Sequence, residues 1–132
     1  MSWLTDTNVL SELFRTRPDS GVLEWAARRE RFLLSAVTVE EITFGFSWKP
    51  NLRAEKALEQ FIAESCEVIP VTEAIARRAG TMRGRFRAGG ITRSQSDALI
   101  GATAYVERLT LVTRNVRDFE GFGIELLNPF RR

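Results

Sequence analysis

The chain has no histidine, a single cysteine and only two lysines among its 132 residues. The lack of histidine excludes Ser–His–Asp and Cys–His catalysis, imidazole general bases and His-ligated zinc. One cysteine, Cys66, allows neither an internal disulfide nor a thiolate cluster for zinc. It lies in an apolar and acidic stretch, Ile62 to Val68, with no basic neighbour, and reads as a core thiol rather than a reactive one. No apolar run approaches the roughly 20 residues of a membrane span. The N-terminal segment meets a charge at Asp6, unlike a secretory leader. Together with the lone thiol, this predicts a protein of the reducing cytoplasm that engages no membrane. Any chemistry falls to carboxylates, hydroxyls, amides and arginines.

Enough apolar residues are present, 44% of the chain, to bury the core of one domain. Lys+Arg exceeds Asp+Glu by 19 to 17, and the pI near 9.2 permits a polyanionic partner without requiring one. Short apolar runs alternate with helical patterns. Trp3 to Thr5, Phe32 to Val37, Glu67 to Val71, Leu109 to Thr113 and Ile124 to Leu127 read as strands. Between them, helices are expected over 7–14, from a Ser20 cap onwards, from a Thr38 cap to before Pro50, and over 51–65. Two more are expected from Thr72 to about Arg87, closed by Gly89-Gly90, and from a Ser94 cap to about Arg108. In the helix after Thr38, Val39, Ile42, Phe46 and Phe44 are expected on the buried side. The pattern predicts an α/β fold: a mainly parallel central sheet of about five short strands flanked by helices, with ligands beyond the carboxyl ends of the strands.

The chain holds four aspartates. Asp6 ends the first strand, Asp97 opens a helix, and Asp118 lies in the turn after the fourth strand. Asp19, beside Pro18, reads as turn chemistry. Glu41 follows the second strand. Singly, each has a structural reading: Thr38-x-x-Glu41 is a capping box, Ser94-x-x-Asp97 resembles one, and acids favour helix N-termini. Asp6 is harder to explain that way, because Leu4, Val9 and Leu10 carry its segment into the core. A parallel sheet would bring Asp6, Glu41, Asp97 and Asp118 to one edge, where like charges repel. A hard divalent cation resolves that repulsion, with Asp6 and Asp97 as direct ligands and Thr7, Asn8, Thr113 and Asn115 as supporting hydroxyls and amides.

At these residues the sequence resembles the PIN-domain nucleases, most closely VapC-type toxins of bacterial toxin–antitoxin pairs. Leu4-Thr5-Asp6-Thr7-Asn8-Val9-Leu10-Ser11-Glu12 is similar to the family's first motif, and Leu34 to Ile42, with Glu41 at the acidic position, to its second. Ser96-Asp97-Ala98-Leu99-Ile100-Gly101-Ala102-Thr103-Ala104 resembles the third, Val112 to Phe119 the fourth, and Asn128-Pro129-Phe130 the usual ending. The resemblance implies a single PIN-like domain over residues 1–132 and a Mg²⁺- or Mn²⁺-dependent ribonuclease. It also implies a homodimer, inhibited by a cognate antitoxin that binds across the active site.

An RNA-binding surface is expected where six arginines and no acid lie between Glu73 and Asp97, with Arg83, Arg85, Arg87 and Arg93 nearest the site. Phe86 among them is a candidate for stacking on bases. Trp25, Trp48, Phe44 and Phe46 suit core or partner surface equally. Two other readings stay open on the residues alone. One is a non-catalytic PIN-fold binding module. The other is a phosphoryl-transfer α/β domain, against which stand Asn8 where a second acid is wanted and the lack of any lysine after Lys56.

Overall fold

Residues 2–132 are described by a computed structural model. Five strands form one sheet: β1 (Trp3–Thr5), β2 (Phe32–Ser35), β3 (Cys66–Ile69), β4 (Thr110–Val112) and β5 (Leu126–Leu127). Their order is β3-β2-β1-β4-β5, and every neighbouring pair is parallel. The connections carry six helices: α1 (Thr7–Leu13), α2 (Ser20–Ala27), α3 (Ala36–Trp48), α4 (Leu52–Ser65), α5 (Glu73–Ala88) and α6 (Gln95–Glu107). The α/β architecture is the one the alternating pattern predicts. β1 occupies the centre, so the chain leaving it at Asp6 emerges in the middle of the carboxyl edge.

The sheet separates two cores. On one side Leu4 and Leu111 pack with Ile75, Ala79 and Met82 of α5, with α6, and with Phe119 and Phe122. On the other, Val9, Leu10, Val22, Trp25, Phe32 and Leu34 pack with Leu58 and Cys66. Burial pushes the Cys66 thiol up to about 11, with the Arg31 charge acting against it, so this cysteine is the inert core thiol expected. Gly101 in α6 lies against Phe122: a Cβ there would stand 2.8 Å from the ring, so the helix approaches only because this position has no side chain.

The structure corrects several local expectations. α3 begins at Ala36 because Ser35 Oγ accepts the Val37 N–H at 3.0 Å; this shortens β2 and moves Thr38 inside the helix, where it is fully buried. The apparent capping box at Thr38 is therefore not one. α2 is capped by Asp19 rather than Ser20. β3 stops at Ile69, before Pro70, and β5 is limited to two residues. Phe44 is exposed rather than buried; of the aromatics left open between core and partner surface, Trp48 is exposed and Trp25 joins the core. Thr72 and Ser94 cap their helices through side-chain oxygens and Gly89 closes α5, as expected, while Asn51 is the cap of α4 rather than its first residue.

Candidate active site

Asp6 is the hub of the carboxyl edge. It caps α1, with Oδ1 accepting the Thr7 N–H at 2.8 Å. Its Oδ2 accepts the Thr113 hydroxyl at 2.8 Å and Asn8 Nδ2 at 3.1 Å. Thr113 follows β4, and its N–H donates to Leu127 O of β5, so sheet pairing fixes the hydroxyl that holds Asp6. Asn8 also accepts the Arg114 N–H at 3.0 Å, tying the loop after β4 to the start of α1. Asn115 takes part through its main chain, donating its N–H to Thr113 Oγ1 at 3.0 Å.

Glu41 reaches the same cluster from α3. The Thr7 hydroxyl donates to Glu41 Oε1 at 2.6 Å and lies 3.1 Å from the Thr38 hydroxyl. Helix register thus turns Glu41 inward, while Glu40 is exposed. Thr38, which reads as a cap in the sequence, is instead a partner of Thr7. Asp97 sits in the first turn of α6, its N–H donating to Ser94 Oγ at 3.1 Å. Asp118 lies in a 3-10 turn, Val116–Phe119, and is exposed.

The electrostatics bind these four acids into one group. Burial, opposed by the Thr113 and Thr7 hydrogen bonds and reinforced by Asp97 and Glu41, raises the Asp6 carboxyl from 3.8 to about 6. Asp97 is also raised, first by burial and then by Asp118 and Glu41, against its Ser94 hydrogen bond and the Arg93 charge. Charges from three other segments thus oppose the ionisation of Asp6 and Asp97: Asp97 and Glu41 act on Asp6, Asp118 and Glu41 on Asp97. No three acidic side chains among the described residues close on a single point. The donor set is nonetheless all oxygen, crowded and short of positive charge, which fits a hard cation that takes one or two carboxylates and keeps its waters.

A pH dependence follows. Asp6 holds its proton more tightly folded than unfolded, so its contribution to stability is present below about pH 4 and is lost as pH rises through about 6. Thermal melts in EDTA are expected to show this loss between about pH 4 and 6, and Asp6→Asn to flatten it.

The arginines divide. Arg78 near the start of α5 stacks on Tyr105 near the end of α6, 3.7 Å from its ring centroid, so the helices run antiparallel and the α5 C-terminal end approaches the start of α6. Arg83, Arg85 and Arg87 are exposed there. Arg93 is half-buried: its guanidinium lies 4.8 Å from the Phe86 centroid, and Nη2 donates to Glu120 O at 3.3 Å. Phe86 is not a free stacking platform, because its ring packs on Phe122 at 5.2 Å and joins the core.

The family model for the PIN domain matches residues 4–123. A VapC ribonuclease, Y4jK, of Sinorhizobium fredii is 30% identical over 133 residues, 95% of each chain. Ribonuclease VapC10 of Mycobacterium tuberculosis is 35% identical over 130 residues, covering 96% of this chain and 92% of its own. Among solved structures, FitAcB from Neisseria gonorrhoeae superimposes with a TM-score of 0.84 at 28% identity, covering 98% of this chain and 99% of that one. VapBC2 from Rickettsia felis, bound to a DNA fragment from its promoter, gives a TM-score of 0.81 at 26% identity over 97% and 98% of the two chains. The family model over residues 4–123 and relatives 30% and 35% identical along nearly the whole chain show that the chain belongs to the PIN-domain family, among the VapC ribonucleases.

Proposed function

We propose that this protein is a divalent-metal-dependent endoribonuclease, the toxin of a toxin–antitoxin pair. The observation that carries the reading is the gathering of acids from separate segments at one sheet edge, in a chain without histidine: Asp6 and Glu41 are both held by Thr7, and the charges of Asp97 and Glu41 bear on the buried Asp6. Asp6 and Asp97 would hold Mg²⁺, or Mn²⁺ in its place. When bound, the cation polarises a phosphate oxygen and activates water. Thr7, Asn8, Thr113 and Asn115 fix the carboxylates for this task. Glu41 Oε1 is engaged by Thr7, which leaves Oε2 to take a proton from the attacking water. Asp118, exposed beside Asp97, orients that water.

The new bond joins water oxygen to phosphorus and the P–O3′ bond breaks, the leaving 3′ oxygen taking its proton from solvent. The fragments carry a 5′-phosphate and a 3′-hydroxyl. No substrate 2′-hydroxyl acts as nucleophile, so preference for RNA arises from binding. Arg83, Arg85, Arg87 and Arg93 line the approach to Asp97 and contact phosphates. A toxin–antitoxin complex from Klebsiella pneumoniae among the structural relatives supports a cognate antitoxin as partner. Exposed Phe44 and Trp48 on α3 offer apolar surface to a partner chain. A homodimer and a cytoplasmic location complete the reading.

The purified protein is expected to cleave RNA with Mg²⁺ or Mn²⁺ and to stop when EDTA is added, recovering on excess metal. Cleavage that persists in EDTA from a preparation free of contaminating nuclease overturns the metal dependence.

A further inference from the structure

Arg114 has no place in the cluster of arginines before Asp97, yet its main chain is tied to two residues that hold Asp6. It follows Thr113, which holds Asp6, and its N–H is fixed by Asn8, which also holds Asp6. Its guanidinium is exposed, makes no ion pair among the described residues, and lies 4.6 Å from the centroid of the Phe130 ring. A cation at the edge of an acidic cluster would ordinarily turn to a carboxylate; this one is held on an aromatic face instead.

Phe130 is itself held in place. The Asn128 side chain accepts its N–H at 3.0 Å. The next two residues are anchored by Asp19, which accepts the Arg131 and Arg132 N–H groups, each at 3.0 Å. Asp19 is 1% exposed, and the chain's end is bound to it rather than frayed. The stacked pair is therefore a fixed feature with one open side.

We propose that Arg114 and Phe130 form a stacking platform for a nucleotide of single-stranded RNA flanking the scissile phosphate. An exposed guanidinium backed by an aromatic ring presents a flat, delocalised cation suited to stack on an unpaired base and to pair with the adjoining phosphate. The proposal rests on the ribonuclease reading, but its test separates the two.

Binding of a fluorescent single-stranded RNA is measured by anisotropy in EDTA, where no metal-dependent cleavage occurs. Arg114→Ala is expected to weaken binding about tenfold and to lower its salt dependence by about one phosphate. Phe130→Leu is expected to weaken it severalfold, and Phe130→Tyr to keep it. With Mg²⁺, Arg114→Ala raises KM and leaves kcat within about twofold. Unchanged RNA binding in Arg114→Ala overturns the platform. So does a fall in kcat at constant KM, which would mean Arg114 acts through Asn8 on Asp6. If the parent binds RNA through Arg114 but never cleaves it, the platform stands and the nuclease reading fails.

Discussion

Changing Asp97 to asparagine is expected to remove RNA cleavage, a loss of about a thousandfold or more, while the protein free of divalent ions stays as stable as the parent or gains about 1 kcal/mol. The carboxylate is half-buried and faces the charges of Asp118 and Glu41, with the Arg93 charge acting against them. Asparagine keeps the shape, and the Ser94 cap acts on the main-chain N–H of residue 97, so the helix start survives. Asp6→Asn is expected to lose as much activity but to behave differently in a melt. The net rise of its carboxyl from 3.8 to about 6, burial and the neighbouring acids outweighing the Thr113 and Thr7 hydrogen bonds, corresponds to about 3 kcal/mol relieved at neutral pH. Against that, both Asp6 oxygens accept: Oδ1 from the Thr7 N–H, Oδ2 from Asn8 and Thr113. An amide NH₂ in either place faces a donor, at a cost of about 1–3 kcal/mol. The two effects nearly cancel, so Asp97→Asn should be the more stable of the pair in EDTA. Melts and cleavage assays on both proteins check this. Retained cleavage in Asp97→Asn, or losses above about 2 kcal/mol in both variants, would show the acids to be structural partners.

The parts of the molecule that could be read from the chain are those written in local pattern. The order of strand and helix follows from apolar periodicity, and Asp6 stood out because a charge sat among Leu4, Val9 and Leu10. What stayed hidden depends on contacts between distant residues. Thr38-x-x-Glu41 has the spacing of a capping box, yet Ser35 makes the cap and Glu41 is present for Thr7, 34 residues away. Phe86 lay in an arginine-rich stretch, but its partner Phe122 comes from a loop beyond β4. Asp19 illustrates this best. Pro18-Asp19-Ser20 reads as a turn, and the position does cap α2, with Oδ1 accepting the Gly21 and Val22 N–H groups. Its larger role, anchoring the chain 112 residues later, leaves no local trace.

That anchor explains why Gly21→Ala is expected to destabilise the protein by about 2–3 kcal/mol when the same change at Gly80 stabilises it by about 0.5–1 kcal/mol. Both glycines lie in helices, and alanine is the better helix former at an unobstructed site. A Cβ on Gly80 in α5 meets nothing within 4 Å. A Cβ on Gly21 in α2 would stand 2.1 Å from Pro129 O and 2.9 Å from Arg131 Cγ, so the C-terminal segment must lift. Lifting it breaks a connected set of bonds. Arg131 leaves Glu24, and Arg132 leaves Asp19 and Glu12, the latter at 3.2 Å. Glu12 is 4% exposed and keeps only the Asp19 N–H and a longer approach from Arg15. Two buried acids would then face each other with less compensation. Burial opposes the Asp19 charge, but the N–H groups of Arg131, Arg132 and Val22 and the Arg132 guanidinium outweigh it and hold the carboxyl well below its usual range. Its contribution to stability is therefore present above the ordinary carboxylate range and disappears in acid. Gly21→Ala, with the clasp open, should lose part of that acid sensitivity as well as melting lower, whereas Gly80→Ala should keep the parent's pH profile at a higher melting temperature. Equal shifts at the two glycines would mean the segment after β5 adds nothing to the fold.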